Sequence, residues 1–315
     1  MALFLVTGGG GFIGSNLVEA ILSRGDSARV LDNFATGRRS NLEAAPAWAK
    51  VGRGSFELLE GDIRDLATCR RAVAGADYVL HQAAIPSVQR SVKDPIGSND
   101  VNVSGTVNLL VAARDEKVKR FVMASSSSIY GESETLPKVE TMPSAPISPY
   151  GLQKLAGESY CGLFHRLYGL PAIALRYFNV FGPRQDPTSE YSAVIPLFIT
   201  AIKNGGHPTI FGDGEQTRDF SYIANVVQAN LRACEAGPAA HGDTFNIACG
   251  ERISLNELVS ILAGFAGREV QATYAPHRPG DIKHSLAGIE KAQKLLGYTS
   301  EVSVRDGLRK TWEVL

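Results

Sequence analysis

The sequence predicts an α/β fold: a doubly wound parallel sheet followed by a smaller mixed α/β lobe. Three observations carry that expectation. Short apolar runs alternate with helix-period segments through the first half. A glycine-rich turn joins the first apolar run to the first helix. After Tyr177 the elements shorten, punctuated by Gly182-Pro183, Asp186-Pro187, Gly205-Gly206 and Gly212-Asp213-Gly214.

Each element has its own justification. Residues 3–6 form a continuous apolar run, as a strand buried on both faces requires. Residues 14–24 follow as a helix, with Leu17, Val18, Ile21 and Leu22 on one side. Val30-Leu31 ends a second strand at Asp32, and 56–59 is a third, before Gly61-Asp62. A fourth strand, 78–80, runs into His81-Gln82-Ala83-Ala84. A helix is expected over 100–114, a fifth strand over 121–124 ending in four serines, and a helix over 150–167. Ala172–Tyr177 is the sixth strand. In the second half, a helix at 224–235 and the strand-like Thr244–Ile247 are expected to pack back on the first lobe. The expected division is a nucleotide-binding domain over 1–178, with 224–247 as its return segment, and a substrate-binding domain over 179–315. The cleft between them is the default ligand site.

Composition narrows the function classes. At 315 residues, 44% hydrophobic and 20% charged, the chain can bury a substantial core, which excludes disorder as its main state. Lys plus Arg number 32 and Asp plus Glu 32, so net charge gives no reason to expect a nucleic acid or an anionic membrane as partner. Cys69, Cys161, Cys234 and Cys249 form no C-x-x-C pair and read as core residues of a reducing compartment. The six histidines show no ligand spacing, and no metal is expected. The apolar N-terminal run is too short for a signal sequence, and no stretch is long enough to span a bilayer. A soluble, cytoplasmic protein is expected.

Gly8-Gly9-Gly10-Gly11-Phe12-Ile13-Gly14 fits both G-x-x-G-x-x-G (Gly8, Gly11, Gly14) and a looser G-x-G-x-x-G. Glycine lets the backbone turn tightly and approach a pyrophosphate, and the helix N-terminus offers N–H groups to it. The turn follows a buried strand, opens an amphipathic helix and precedes Asp32 at the end of the next strand. This is the Rossmann arrangement, which puts the carboxylate on the adenosine ribose. A carboxylate accepts from ribose hydroxyls and repels a 2′-phosphate, so NAD is expected rather than NADP. Arg38 and Arg39, close in sequence, pull the other way. Asp62 has two open readings, an adenine contact or a cap on the turn at 62–66.

Tyr150 and Lys154 lie at i and i+4, on one face of a helix. An ammonium beside a phenol favours phenolate, lowering the tyrosine pKa from its reference of ~10. Tyr150 is then a candidate general acid/base. This spacing alone is common on helix surfaces; its place after a dinucleotide-binding half gives it weight. The serines ending the fifth strand lie where doubly wound sheets present groups to ligands.

The combination resembles the extended short-chain dehydrogenase/reductase superfamily and, within it, the nucleotide-sugar epimerases of the UDP-glucose 4-epimerase type. The likeness covers essentially the whole chain: Thr7–Gly14, Asp32-Asn33-Phe34, Gly61-Asp62-Ile63, His81-Gln82-Ala83-Ala84, Asn102-Val103-Ser104-Gly105-Thr106, Ser125–Gly131, Tyr150–Lys154, the stretch from Arg176 to Gly182, Arg218-Asp219-Phe220 and Arg278-Pro279-Gly280-Asp281. It implies a catalytic Ser126 and Tyr150, with Lys154 binding the nicotinamide ribose and tuning the tyrosine. It implies NAD held by Gly8, Gly11, Phe12, Ile13, Gly14, Asp32, Asn33, Asp62, Ile63, Ala83, Lys154 and Tyr177. It implies a UDP-sugar held by Ser126, Tyr150, Asn179, Val194, Arg218, Arg278, Asp281 and Ser285. Arginine suits a diphosphate because its fork meets phosphate oxygens bidentately.

The dehydratases of this superfamily carry an acidic residue after the catalytic serine. Here that segment is Ser127-Ser128-Ile129-Tyr130, which favours epimerisation. The expected reaction oxidises the sugar at C4 and returns hydride to the opposite face of the 4-keto sugar. The substrates implied are UDP-glucose/UDP-galactose, UDP-N-acetylglucosamine/UDP-N-acetylgalactosamine or both; the small Ser285 leaves space for a 2-acetamido group. The alternatives are a UDP-glucuronate or UDP-pentose 4-epimerase and, outside the enzymes, an NAD-binding regulator, against which the intact Ser126, Tyr150 and Lys154 argue. The resemblance also implies a homodimer pairing through the helices at 100–114 and 150–167. Leu109, Leu110, Leu163 and Phe164 could serve that interface or the core.

Overall fold

A computed structural model describes residues 1–186, 193–277 and 283–315. The chain opens with β1 (Leu3–Thr7), α1 (Phe12–Ser23), β2 (Ser27–Asp32), α2 (Ala45–Gly52), β3 (Phe56–Glu60), α3 (Leu66–Val73) and β4 (Tyr78–His81). Two short helices follow, α4 (Val88–Lys93) and α5 (Pro95–Asn99). A wide π-turn at Asp100–Gly105 then leads into α6 (Thr106–Glu116). Next come β5 (Arg120–Ser126), α7 (Pro149–Tyr168) and β6 (Ala172–Tyr177). The remainder holds β7 (Val180–Phe181), α8 (Val194–Lys203), β8 (Thr209–Phe211), β9 (Thr217–Arg218), β10 (Ser221–Tyr222), α9 (Ile223–Glu235) and β11 (Thr244–Ile247). It ends with β12 (Ile253–Ser254), α10 (Leu255–Ala266), β13 (Thr273–Ala275), α11 (Glu290–Leu296) and α12 (Val304–Val314).

Among the described residues, seven strands form one parallel sheet in the order β11-β6-β5-β4-β1-β2-β3. Its inner strands are largely apolar and buried because helices cover both faces, while the edge strand β3 exposes Glu57, Leu58 and Glu60; successive side chains enter opposite layers. Phe4, Val6, Val30 and Leu80 join the layer under α1 and α9. Leu5, Leu31, Val79 and Phe121 join the layer under α3, α6 and α7. The strand order reverses between β1 and β4, which opens a crevice at the carboxyl ends of those two strands.

The later part of the chain adds three two-stranded pairings, β7–β10, β9–β12 and β8–β13. Among the described residues it has no separate core. Ile195, Phe198, Ile199, Leu258 and Leu262 belong to the same buried cluster as the sheet face under α1. The segment 224–247 supplies α9, packed on α1, and β11, hydrogen-bonded to β6.

Helix α7 is defined at both ends. The Ser148 hydroxyl accepts from the Gly151 N–H, Pro149 occupies the first turn, and Gly169 closes the helix at φ 71°. The helix expected over 100–114 differs in one respect: its first six residues form the π-turn, and α6 proper starts at Thr106. The widened backbone directs the buried Asn102 side chain to the backbone of Ile85 and to Gln153 of α7, at 2.8–3.2 Å.

Candidate active site

The glycine turn is shaped by close approaches. Gly8 has φ +70°, and a Cβ there would lie 2.7 Å from the Ala83 nitrogen. A Cβ on Gly14 would lie 2.2 Å from the Gly8 carbonyl oxygen. Only glycine lets α1 begin so close to the end of β1. Gly11, the N-cap of α1, has no side chain with which to cap the first-turn N–H groups. That helix start faces a cleft of about 710 Å³, lined by Phe12, Ile13, Asp32, Ala83, Tyr150 and Lys154 among others. A glycine cradle, an uncapped helix N-terminus and a neighbouring carboxylate fit a dinucleotide pyrophosphate and ribose. All the residues expected to hold the cofactor meet in this one cleft.

Asp32 is buried, with Oδ2 accepting from Gly10 N–H (2.8 Å) and Oδ1 from Phe34 N–H (2.7 Å). Arg39 stacks over Phe34 at 4.2 Å and bonds Glu60, while Arg38 pairs with Asp186 at 2.6 Å. Asp62 lines the cleft and also holds the turn that follows it, accepting from Arg64 N–H (2.9 Å) and from Asn33 Nδ2 (2.9 Å). The Arg64 guanidinium holds its carboxyl down to about 2. The N-cap of α3 is Asp65 rather than Asp62. Tyr177 is buried, and Asn230 of α9 donates to its hydroxyl at 2.8 Å.

Ser126 ends β5, and its hydroxyl accepts from Ser128 N–H (3.2 Å) and Ser128 Oγ (3.0 Å). The Tyr150 phenol lies close enough for this hydroxyl to lower its pKa. The Tyr150 backbone N–H donates to Ser91 of α4 at 3.0 Å, which seats the start of α7 against α4. Lys154, one turn on, is buried, with Nζ 5.8 Å from the Tyr150 ring centre and donating to the Ala124 carbonyl at 2.8 Å.

The expected lowering of the Tyr150 pKa by Lys154 is corrected here. Burial pushes the phenol up to about 12, against the Ser126 hydrogen bond, which lowers it. Burial also pushes Lys154 down to about 8, against the Glu158 carboxylate, which raises it. Desolvation outweighs the pairing because the ammonium is aimed at a carbonyl, not at the phenol.

A second cavity of about 250 Å³ adjoins β7 and α8 and is lined by Asn179, Val194 and Arg218 with Phe181, Phe211 and Phe220. Arg218 donates to the carbonyls of Thr217 (2.9 Å) and Lys283 (3.2 Å). Ser285 lines neither cavity; its N–H donates to Thr217 at 3.0 Å, beside Arg218. Arg278 and Asp281 lie outside the described residues.

Sequence reasoning passed over Arg90 and Lys93, which line the cleft from α4, and Glu158, which continues the Tyr150, Lys154 spacing by one more turn. That repeated i+4 step was the signal for Glu158. All four cysteines are free thiols. Among the described residues no His/Cys/Asp/Glu cluster could hold a metal, and no helix is long and apolar enough to cross a membrane.

Residues 4–248 match the family model described as the NAD dependent epimerase/dehydratase family. The chain is 40% identical over 311 residues to a UDP-glucose 4-epimerase of Mycolicibacterium smegmatis, covering 98% of this chain and 97% of the other. Its fold matches, with TM-score 0.92 and 38% identity, a UDP-N-acetylglucosamine 4-epimerase from Methanobrevibacter ruminantium in complex with UDP-N-acetylmuramic acid, over 99% and 97% of the two chains. It matches a UDP-glucose 4-epimerase with UDP-glucose from Thermotoga maritima at TM-score 0.91 and 36% identity, over 99% and 98%.

Proposed function

The chain belongs to the NAD-dependent epimerase/dehydratase family, and from that premise we propose that it is an isomerase, an NAD-dependent 4-epimerase of UDP-hexoses. One observation carries the reading. Tyr150, near the Ser126 hydroxyl and flanked by Lys154, stands in the same cleft as the glycine turn and Asp32. No carboxylate occupies 127–130, where elimination of water would need one.

NAD held in this cleft would supply a reversible hydride acceptor for the sugar. The rest falls to the chain. Tyr150 takes the C4 hydroxyl proton and later returns it, while Ser126 hydrogen-bonds the same oxygen and keeps it oriented. A phenol of such high pKa needs a neighbouring cation to ionise near neutral pH; Lys154, 5.8 Å from its ring centre, would supply it on turning from the Ala124 carbonyl. The first-turn N–H groups at Phe12 and Ile13 hold the pyrophosphate, and Asp32 takes the adenosine ribose and disfavours a 2′-phosphate. Asn33, Asp62 and Ile63 flank the adenine, and Ala83 and Tyr177 the nicotinamide end. Residues 1–178 with 224–247 carry the cofactor, and 179–315 carry the UDP-sugar through Asn179, Val194, Arg218, Arg278 and Asp281.

The substrates are plain UDP-hexoses, their 2-acetamido counterparts or both, the small Ser285 standing next to Thr217 and Arg218 at the second cavity. The enzyme works as a homodimer in the cytoplasm, a setting its four free thiols suit. The test is a panel of UDP-glucose, UDP-N-acetylglucosamine, UDP-glucuronate and UDP-xylose offered to the purified protein, with the nucleotide released on denaturation identified. C4 inversion of the hexoses and released NAD are expected; NADP as the main nucleotide, or no C4 inversion of a hexose, overturns the reading.

A further inference from the structure

The third step of the Tyr150, Lys154, Glu158 ladder has no assigned role. Glu158 and Arg176 are buried, with only 4% and 5% of their side chains exposed, and they are paired bidentately at 2.9 and 2.7 Å. A charge pair taken so far from water is weak evidence for stability, because desolvation offsets most of its attraction. Its connections are more informative. Ser125, directly before the catalytic serine, donates its hydroxyl to Glu158. Ser125 also faces Arg176 across the β5–β6 register. Lys154 holds the preceding residue, Ala124, by its carbonyl. The strand end bearing Ser126 is therefore fastened to α7 by two side chains one turn apart.

Arg176 extends the network. Its Nη1 donates to the Tyr130 hydroxyl (2.8 Å), which donates to Asn246 of β11 (2.7 Å). Asn246 in turn donates to the carbonyls of Lys138 (2.8 Å) and Gly288 (3.2 Å).

We propose that Glu158 and Arg176 are positioning residues of the reaction: Glu158 fixes Ser125, and with it Ser126, against Tyr150, and its carboxylate is the counter-charge of Lys154. This rests on the epimerase reading. The other groups around Lys154 do not supply that charge. On α7 its neighbour is the Tyr150 phenol. On β4 it is His81, kept uncharged by burial. On β6 they are Tyr177, whose phenol burial keeps neutral, and Arg176 itself. Arg90 and Lys93 of α4 line the same cleft, and its carboxylates are engaged elsewhere: Asp32 by the Gly10 and Phe34 N–H groups, Asp62 by Arg64 and Asn33, and Asp94 by the Gly97 N–H.

The experiment follows Lys154 titration by NMR on ε-13C-lysine protein, its signal assigned by loss in Lys154→Arg, together with kcat and KM across pH. Glu158→Gln leaves Arg176 unmatched, so Lys154 should lose its proton at a pH lower by about one unit or more; Arg176→Gln should shift it upward. Arg176→Lys should restore the parent titration. Ser125→Ala should leave the titration in place and lower kcat about tenfold at unchanged KM. If a single-charge variant does not fold, the double variant Glu158→Gln/Arg176→Gln, which leaves no lone buried charge, should titrate Lys154 at a lower pH than the parent, though by less than Glu158→Gln alone, with kcat reduced. Shifts of the same sign in both single-charge variants, or kcat unchanged in both Ser125→Ala and the double variant, overturn the proposal. The NMR readout needs no sugar substrate, so a parent protein without epimerase activity would sink the epimerase reading and leave this arm standing.

Discussion

At the residue scale, the proposed chemistry rests on Tyr150 and Ser126. Tyr150→Phe removes the acid/base hydroxyl while the backbone N–H still reaches Ser91. The variant should fold and keep NAD but lose about 10²–10⁴-fold in kcat, measured under saturating UDP-hexose. Near-parental turnover would show that another group moves the proton. Ser285→Tyr should fill the space assigned to the acetamido group. Overpacking of ~1–3 kcal/mol corresponds to a loss of roughly 5–150-fold in kcat/KM on UDP-N-acetylglucosamine, with UDP-glucose far less affected. Equal losses on both would remove Ser285 from specificity, and its place outside the lining of both cavities makes this the sharper trial.

At the scale of elements, the start of α1 is the feature most sensitive to change. Alanine in a helix is ordinarily favoured over glycine by ~1 kcal/mol. Gly14→Ala should do the reverse, because its methyl would stand 2.2 Å from a backbone oxygen that cannot move without opening the turn. A Tm lowered by several degrees and loss of NAD on gel filtration are expected; an unchanged Tm would show that the turn yields. The elements readable from sequence share a physical trait. The inner strands are largely apolar runs because both faces are covered, and the glycine turn is spelled by spacing. The helices at 88–93 and 95–99 escaped notice because Pro86 and Pro95 break the chain into pieces too short to show a period. In α3, Arg70 and Arg71 interrupt the apolar pattern. The Tyr150 phenol was misjudged because spacing reports a neighbour but not the loss of water around it. The Glu158–Arg176 pairing joins a helix to a strand, a contact only the fold creates.

At the scale of the whole molecule, two expectations concern assembly and acid stability. Leu109, Leu110 and Phe164 prove to be buried in the core, whereas Leu163 is exposed on α7 with Leu152, Tyr160 and Leu167. Replacing Leu163 and Leu167 together by Glu should convert the proposed dimer to monomer by light scattering at micromolar concentration; a monomeric parent would refute the assembly. His81 is buried between the Thr7 and Thr106 hydroxyls at 2.8 Å each, and burial holds its pKa down to about 3. The folded state therefore resists a proton that the unfolded chain takes up below 6.5, and stability falls as pH drops through that window. Between pH 7 and 5 the loss is about 2 kcal/mol. Asp219, pushed up to about 6 by burial, acts in the opposite sense below pH 6, so the comparison that counts is parent against His81→Asn. The variant should lack this part of the pH dependence in urea melts; identical slopes would clear His81 of the effect.

Strand β11 has a consequence for how the protein is born. It covers the flank of β6, a strand whose six residues are all buried, yet it is spelled about seventy residues later. On the ribosome the first six strands emerge well before their last neighbour exists. Until residue 247 is made, the nascent sheet presents an apolar, unpaired border open to any passing strand. A fragment ending at 178 would keep that border permanently, and it should precipitate where the full chain does not. The half proposed to carry the nucleotide would then be a unit of architecture without being a unit of expression.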